Sequence, residues 1–350
     1  MLIYGGEHLY NSHLKVRDCL GDLRIIDFET KEIKTLRTYG DFIENRRNHG
    51  YCLFANKFLF IYGGINSNGR YLNDLMNLNL ETAKWSICSS EGQIAEPIAF
   101  HTMIPIFRNE NRNIYDLYKA FDLDYKSKVN NFSKIKEEGI YVFGGKDDQN
   151  NIYHKLRVLK LGCYPMRWSE PETKGEPPAA RYLHSMNFFQ DLNIIIIYGG
   201  RNDQLFDPIF SDICILNVFN LCWSKVTLFG LGNVPKCSHS STIIGSKLVV
   251  FGGYTLQEYA CSDLFFLELN QDLVKSLNDK NKFNLGDREV KEIEESDKIG
   301  ANIVDNRKGD SEKFQRSFAK MRVTYLPIPM LGSDKITRSN RKKSTIMNLN

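Results

Sequence analysis

No C-x-x-C pair stands anywhere in the 350-residue chain, and its eight cysteines (19, 52, 88, 163, 214, 222, 237 and 261) are scattered. That spacing speaks against a zinc site or a dithiol redox motif and suggests reduced thiols in a cytoplasmic or nuclear protein. Long apolar runs are also missing. Ile194 to Tyr198 with the preceding Leu192 is the longest, far too short to cross a bilayer. Met1 leads directly into a strand pattern without a basic leader, so no signal peptide is expected. No Gly-x-Ser-x-Gly elbow occurs, and no glycine-rich segment ends in Gly-Lys-Ser/Thr. A formal charge of +4 is too small for this length to indicate a nucleic-acid binder. The charge is uneven, however: residues 271–350 hold 17 Lys/Arg against 12 Asp/Glu, leaving 29 against 30 in residues 1–270. Aromatics are nearly confined to that first part, so a packed body precedes a polar, mildly basic tail.

What is abundant is a repeat. Five times an apolar, β-branched or aromatic run enters a glycine pair: Gly5-Gly6, Gly63-Gly64, Gly144-Gly145, Gly199-Gly200 and Gly252-Gly253. The first glycines are 58, 81, 55 and 53 residues apart. A period near fifty residues implies one small supersecondary unit used repeatedly. Further slots recur around the pairs. A tryptophan and a histidine stand 16 residues apart in Trp85/His101, Trp168/His184 and Trp223/His239, and the same count from His49 reaches Ile33. Three residues before each histidine come Arg46, Ile98, Arg181 and Lys236. After the pairs, Asp22, Asp74, Asp212 and Asp263 precede an apolar residue, with Lys155 in the remaining copy.

Each copy therefore predicts four short strands. The first follows the basic/His turn, the second ends at the glycines, the third starts near the aspartate and the fourth carries the tryptophan. A four-stranded sheet of this size cannot cover its own faces, so the copies must pack radially as a β-propeller.

These residues resemble the kelch repeat family. The resemblance rests on the glycine pairs, the downstream tryptophans and the Arg181-Tyr182-Leu183-His184-Ser185 approach, and it covers residues 1 to about 270. It implies an all-β, kelch-type propeller at 1–274 with five recognisable four-stranded blades. The first blade lacks its first strand, and a polar tail fills 275–350. The fourth strand of the fifth blade falls by count at Val274, and no further histidine or glycine pair follows. A closed ring would need a strand from elsewhere, and the alternating segment 318–326 is the candidate; alternatively, this start truncates a longer propeller. The 81-residue step locates an insertion at 108–138, between two strands of blade three. There Ile114, Leu117, Tyr118, Phe121, Tyr125 and Val129 fall on one face of a helix.

The repeat absorbs most of the conspicuous chemistry. His49, His101, His184 and His239 fill one structural slot, leaving His8, His13 and His154 without metal-ligand spacing. No catalytic residue, cofactor or metal ligand is assigned. The function expected is a non-enzymatic protein-interaction scaffold whose partner is a protein or peptide, with no nucleic acid and no membrane. Two alternatives stay open: a substrate-recognition subunit of a ubiquitin ligase, and a galactose-oxidase-like or other propeller enzyme. Kelch-type propellers typically recognise partners on the face of the second-to-third loops. Those loops carry Asn66, Asn68, Arg70 and Tyr71; Asp147, Asp148 and Gln149; Arg201, Asn202, Asp203 and Gln204; and Tyr254, Gln257, Glu258 and Tyr259. The candidates for partner binding are Arg70, Tyr71, Asp147, Asp148, Arg201, Asn202, Asp203 and Tyr254. The basic cluster Arg338–Ser344 in the tail is read as a solvated end.

Overall fold

The structure is a computed structural model that describes residues 1–8, 18–92, 96–107, 137–226, 234–256 and 260–268, together with the backbone of 323–326. The insertion expected to be helical and nearly all of the tail lie outside the described residues.

The described chain is all-β apart from one 3-10 turn, and it forms five sheets arranged as propeller blades. Sheet one holds Leu2–Tyr4, Leu23–Ile26 and Ile33–Leu36. Sheets two, three and four each have four consecutive antiparallel strands. Sheet five consists of Ser240–Ile244, Lys247–Phe251, Leu264–Glu268 and the remote Val323–Leu326. First strands of consecutive sheets are neighbours from sheet two to sheet five, so they line the axis.

The second strands explain why the sheets stack. In Phe58–Tyr62, Gly139–Phe143 and Ile194–Tyr198 every residue is buried, because alternate side chains enter opposite cores. Phe60 and Tyr62 pack with Ile140, Val142 and Trp168 between sheets two and three. Tyr141 and Phe143 pack the other way, with Ile195, Ile197 and Trp223. Leu59 and Ile61 join Leu23 and Trp85 between sheets one and two. Ile196 and Tyr198 meet Val250 and Phe265 between sheets four and five. Each fully buried side chain of this size contributes about 1.5–3 kcal/mol. The terminal sheets bury one face only. Ile3, Ile33, Ile244 and Phe251 are exposed, and among the described residues no core joins sheet five to sheet one.

Register confirms the slot arithmetic. Trp85, Trp168 and Trp223 stand opposite Leu78, Leu159 and Leu216, and Ile33 stands opposite Ile26 in the same slot. In sheet five that slot faces Leu267, and Val323 fills it where the sequence count placed Val274. The segment 323–326 therefore completes the outer edge of sheet five, and among the described residues no strand lies at the inner edge of sheet one.

The glycine pairs are required by backbone torsion and by crowding. Both members have φ between +62° and +106° in every copy. A Cβ on Gly63, Gly144 or Gly199 would stand closer than 3.0 Å to the carbonyl of Ile98, Arg181 or Lys236 from the next sheet. The connections between sheets add a second, unforeseen glycine. Gly40, Gly92 and Gly175 each lie nine residues before a slot histidine, have positive φ, and press on the backbone carbonyl of Trp85, Trp168 or Trp223. Two of these linkers add short parallel strands outside the tryptophan strands.

Candidate functional site

The loop face is built on buried cations. Arg46 is fully buried: its Nη1 and Nη2 donate to Asp74 Oδ1 and Oδ2 at 2.7 and 2.6 Å, and Nη1 also reaches the Gly63 carbonyl at 3.0 Å. Arg181 repeats this with Asp212 at 2.7 and 2.9 Å and the Gly199 carbonyl at 3.0 Å. Lys236 Nζ does the same with Asp263 at 2.8 Å and the Gly252 carbonyl at 2.9 Å. The basic slot thus clamps the glycine turn to the aspartate of its own sheet. Burial works to raise the Asp212 pKa, but the Arg181 hydrogen bonds and charge outweigh it and hold the carboxyl below its ordinary value. In sheet three both partners are replaced: Ile98 is buried in the basic slot, and Lys155 turns outward to Glu170 at 2.8 Å. The two departures are a single exchange of an ion pair for an apolar contact, which a buried site tolerates.

Above these clamps, the residue after each of the last four glycine pairs bridges to the residue after the basic slot of its own sheet. The bridges are Arg47 with Ile65, Ala99 with Lys146, Tyr182 with Arg201 and Cys237 with Tyr254. The glycine-pair loops and the basic turns therefore share one face. Inside this tier, Asn48, Phe100, Leu183 and Ser238 all have left-handed φ near +54° to +63°. Their backbones form a series around the mouth of the axis: Phe100 N–H donates to the Asn48 carbonyl, Leu183 to Phe100, and Ser238 to Leu183.

The eight residues proposed from the sequence divide by environment. Asp147 and Asn202 are buried in their own loops. Asp147 Oδ1 accepts from the amides of Gln149 and Asn151, and its Oδ2 accepts from the Tyr153 hydroxyl at 2.7 Å. Asn202 accepts from the Gln204 amide and donates to the Ala180 carbonyl. Asn66 occupies the same position and accepts from the Asn68 and Arg70 amides. Polar residues two places after the glycines are loop organisers. Arg70 is exposed and donates to Glu44 at 2.7 Å; Tyr71 beside it is half-buried, and Asp148 is exposed. Arg201 donates to exposed Asp203 at 2.7 Å, and the Tyr182 hydroxyl donates to the same carboxylate. Lys146 Nζ lies 4.7 Å from the Tyr182 ring centroid and 5.6 Å from that of Phe100. Tyr254 is 46% exposed.

Two residues of this face carried no sequence signal. Phe206 is 99% exposed and Leu205 46% exposed at the tip of the sheet-four loop, next in order to the sheet-five loop with Tyr254 and exposed Leu256. Exposure at a loop tip leaves no periodic trace.

The histidines face inward. His49, His101, His184 and His239 stack against Tyr4, Tyr62, Phe143 and Tyr198 of the preceding sheet, with ring centroids 5.0–5.5 Å apart. His184 Nε2 bonds Thr102 Oγ1 at 2.7 Å, and His239 Nε2 bonds Ser185 Oγ at 2.8 Å. The equivalent position for His101 is Gly50, and among the described residues neither ring nitrogen of His101 has a hydrogen-bond partner. Burial lowers all four pKa values, to about 4 for His49 and His239 and about 3 for His101; Arg46 and Lys236 add to the effect at the first two. Among the described residues no cluster of three or more His, Cys, Asp or Glu could hold a metal ion, and no helix is long and apolar enough to cross a membrane.

Comparison with known proteins agrees with this architecture. The KLHDC2/KLHL20/DRC7 Kelch-repeats domain matches residues 1–114 and 132–289. Acyl-CoA-binding domain-containing protein 5 of Arabidopsis thaliana is 26% identical over 249 residues, covering 62% of this chain and 37% of that protein. Host cell factor of Drosophila melanogaster is 27% identical over 231 residues, covering 61% of this chain and 13% of that protein. The chain thus spans well under half of these relatives. The solved structure of YjhT superposes with a TM-score of 0.54 at 13% identity, covering 77% of this chain and 78% of that one, which is a likeness of fold. With five glycine-pair sheets, their buried clamps and a family match over most of its length, the chain belongs to the Kelch-repeat β-propeller family.

Proposed function

We propose that this protein is a non-enzymatic interaction scaffold that binds a protein or peptide on the face made by the glycine-pair loops. The observation that carries this reading is the contrast between the two layers of that face. Beneath the surface, the polar residues are committed to clamps and loop turns, so they are held rigid and unavailable for chemistry. At the surface stand Phe206 and Tyr254, aromatic side chains of the kind enriched at interfaces, with Leu205, Arg70, Tyr71, Asp148, Arg201 and Asp203 around them. A rigid platform with an aromatic tip loses little conformational entropy on binding.

The test is site-specific photo-crosslinking in cells. A crosslinker at Phe206 is compared with one at Tyr164, which is 64% exposed in a third-to-fourth hairpin on the opposite side of the disc. The reading expects a reproducible adduct of defined mass from position 206, absent from 164 and lost with Arg201→Ala or Tyr254→Ala. Equal capture from both positions would overturn it.

A further inference from the structure

The glycine-pair loop of sheet four is longer than its counterparts, and the excess can be located. In the last four sheets a bridge closes this loop: Ile65 with Tyr71, Lys146 with Ile152, Arg201 with Ile209 and Tyr254 with Ala260. Five residues lie between the bridged pair in three of these sheets, and seven in sheet four. The turn inside sheets two, three and four is otherwise the same. The side-chain oxygens of Asn66, Asp147 and Asn202 each accept the amide two places on. Their carbonyls accept the amides of Gly69, Asn150 and Leu205, three places on. Their own amides donate to the carbonyl that closes the loop, from Arg70, Asn151 or Pro208. The two extra residues are therefore Phe206 and Asp207, inserted between the turn and its closure.

The turn does not require them, because the loops of sheets two and three close through the same hydrogen bonds without them. Phe206 is 99% exposed, so its ring adds nothing to a core. The base that carries it is nonetheless anchored. Gln204 Nε2 donates to the Asn150 carbonyl at 3.0 Å, which sets the sheet-three loop beside this tip. Asp203 accepts from Arg201 and from the Tyr182 hydroxyl. An inserted aromatic, held in water on a fixed base, is suited to contact with another molecule.

Charge indicates what that molecule brings. Both cations of these two loops are engaged, Arg201 with Asp203 and Lys146 with the rings of Phe100 and Tyr182 at 5.6 and 4.7 Å. Asp147 is buried in its own turn. Asp148 and Asp207 are exposed, and among the described residues neither forms an ion pair. We propose that the inserted pair reads a basic segment of the partner. Phe206 packs on an apolar side chain or on the stem of a Lys or Arg, and Asp207 with Asp148 receives the positive charge. An acidic segment would be repelled by both carboxylates. The proposal rests on the interaction reading of this face and adds the chemistry of what binds there.

The test uses a random linear peptide library displayed on phage and selected on the full chain. Selected peptides are synthesised, and their affinity is measured by fluorescence anisotropy for the parent chain, Phe206→Ala, Asp207→Lys and a deletion of residues 206–207. Urea melts check the fold of each variant. The two substitutions lie on exposed side chains and decide the question even where the deletion does not fold. The expected set is enriched in Lys and Arg beside an aliphatic or aromatic residue. Its affinity should fall at least tenfold in each variant and severalfold in high salt. Peptides without a basic bias, or peptides that bind the variants as tightly as the parent, would overturn the proposal and leave the interaction reading standing. A library that yields no binder would overturn both.

Discussion

Acidification from pH 7 to pH 5 should strip this propeller of several kcal/mol of stability, and the four slot histidines set the amount. All four are buried with folded-state pKa values far below 6.5: about 4 for His49 and His239, about 3 for His101, and well below the ordinary value for His184. A base with a depressed pKa stays neutral in the folded chain while the unfolded chain takes up its proton. Its stabilisation is therefore complete above pH 6.5 and is lost as the pH falls toward the folded value. Between those limits each histidine removes about 1.4 kcal/mol per pH unit. At pH 5 that amounts to roughly 2 kcal/mol per histidine relative to pH 7, or about 7 kcal/mol for four, a large share of the 5–15 kcal/mol typical of a domain. Asp147, Asp203, Asp212 and Glu170 all have lowered pKa values, so their own losses fall below this window. Urea unfolding followed by tryptophan fluorescence at half-unit pH steps measures the slope. His101→Leu isolates one contribution, because among the described residues neither ring nitrogen of His101 makes a hydrogen bond that the change would break. The slope should fall by about a quarter in that variant. A free energy flat within about 1 kcal/mol from pH 7 to 5, or an unchanged slope in His101→Leu, would refute the reasoning.

Three other perturbations probe the remaining devices. Ile98→Arg alone buries an unpaired guanidinium and should cost about 3–5 kcal/mol, whereas adding Lys155→Asp should recover much of that loss in a double-mutant cycle by urea melts. Gly175→Ala forces a Cβ onto the Trp223 carbonyl at a φ of +72° and should cost about 2 kcal/mol, seen as a lower Tm. Thr102→Val leaves His184 Nε2 without its partner and should cost about 1–3 kcal/mol, while the comparable site at Gly50 has no hydroxyl to lose.

The parts legible in the sequence are those that every sheet must solve in the same way. A second strand buried on both faces needs an unbroken apolar run, and a turn crowded by the next sheet needs glycine, so both recur and both can be counted. The linker glycines at 40, 92 and 175 recur as well, nine residues before each histidine, and Gly230 holds the same place in the sequence. Ile98 and Lys155 looked like two separate blemishes because they are 57 positions apart, and only the fold makes them partners. The fourth strand of sheet five escaped the count because a strand pairs by proximity, and Val323–Leu326 lies far along the chain from Leu267. At the loop face the difficulty was different. Asp147 and Asp148 are the same residue type side by side, yet one is buried holding its turn together and the other points to solvent. Residue identity cannot distinguish those roles, and Phe206 belongs to no pattern at all.

Because alternate residues of the second strands of sheets two, three and four enter separate cores, each of these sheets packs on the one before it and the one after it. Stability in such a row is a sum of local strengths and junctions, as in a linear repeat array. Among the described residues, a defect in sheet four therefore reaches sheets five and three directly and sheet one through sheets three and two. The amides of Ile194–Tyr198, with a neighbour on each side, should be the last to exchange with solvent, and those of Leu2–Tyr4 the first. The glycine pairs, placed where each sheet meets the next, are then the joints through which one blade learns the state of another.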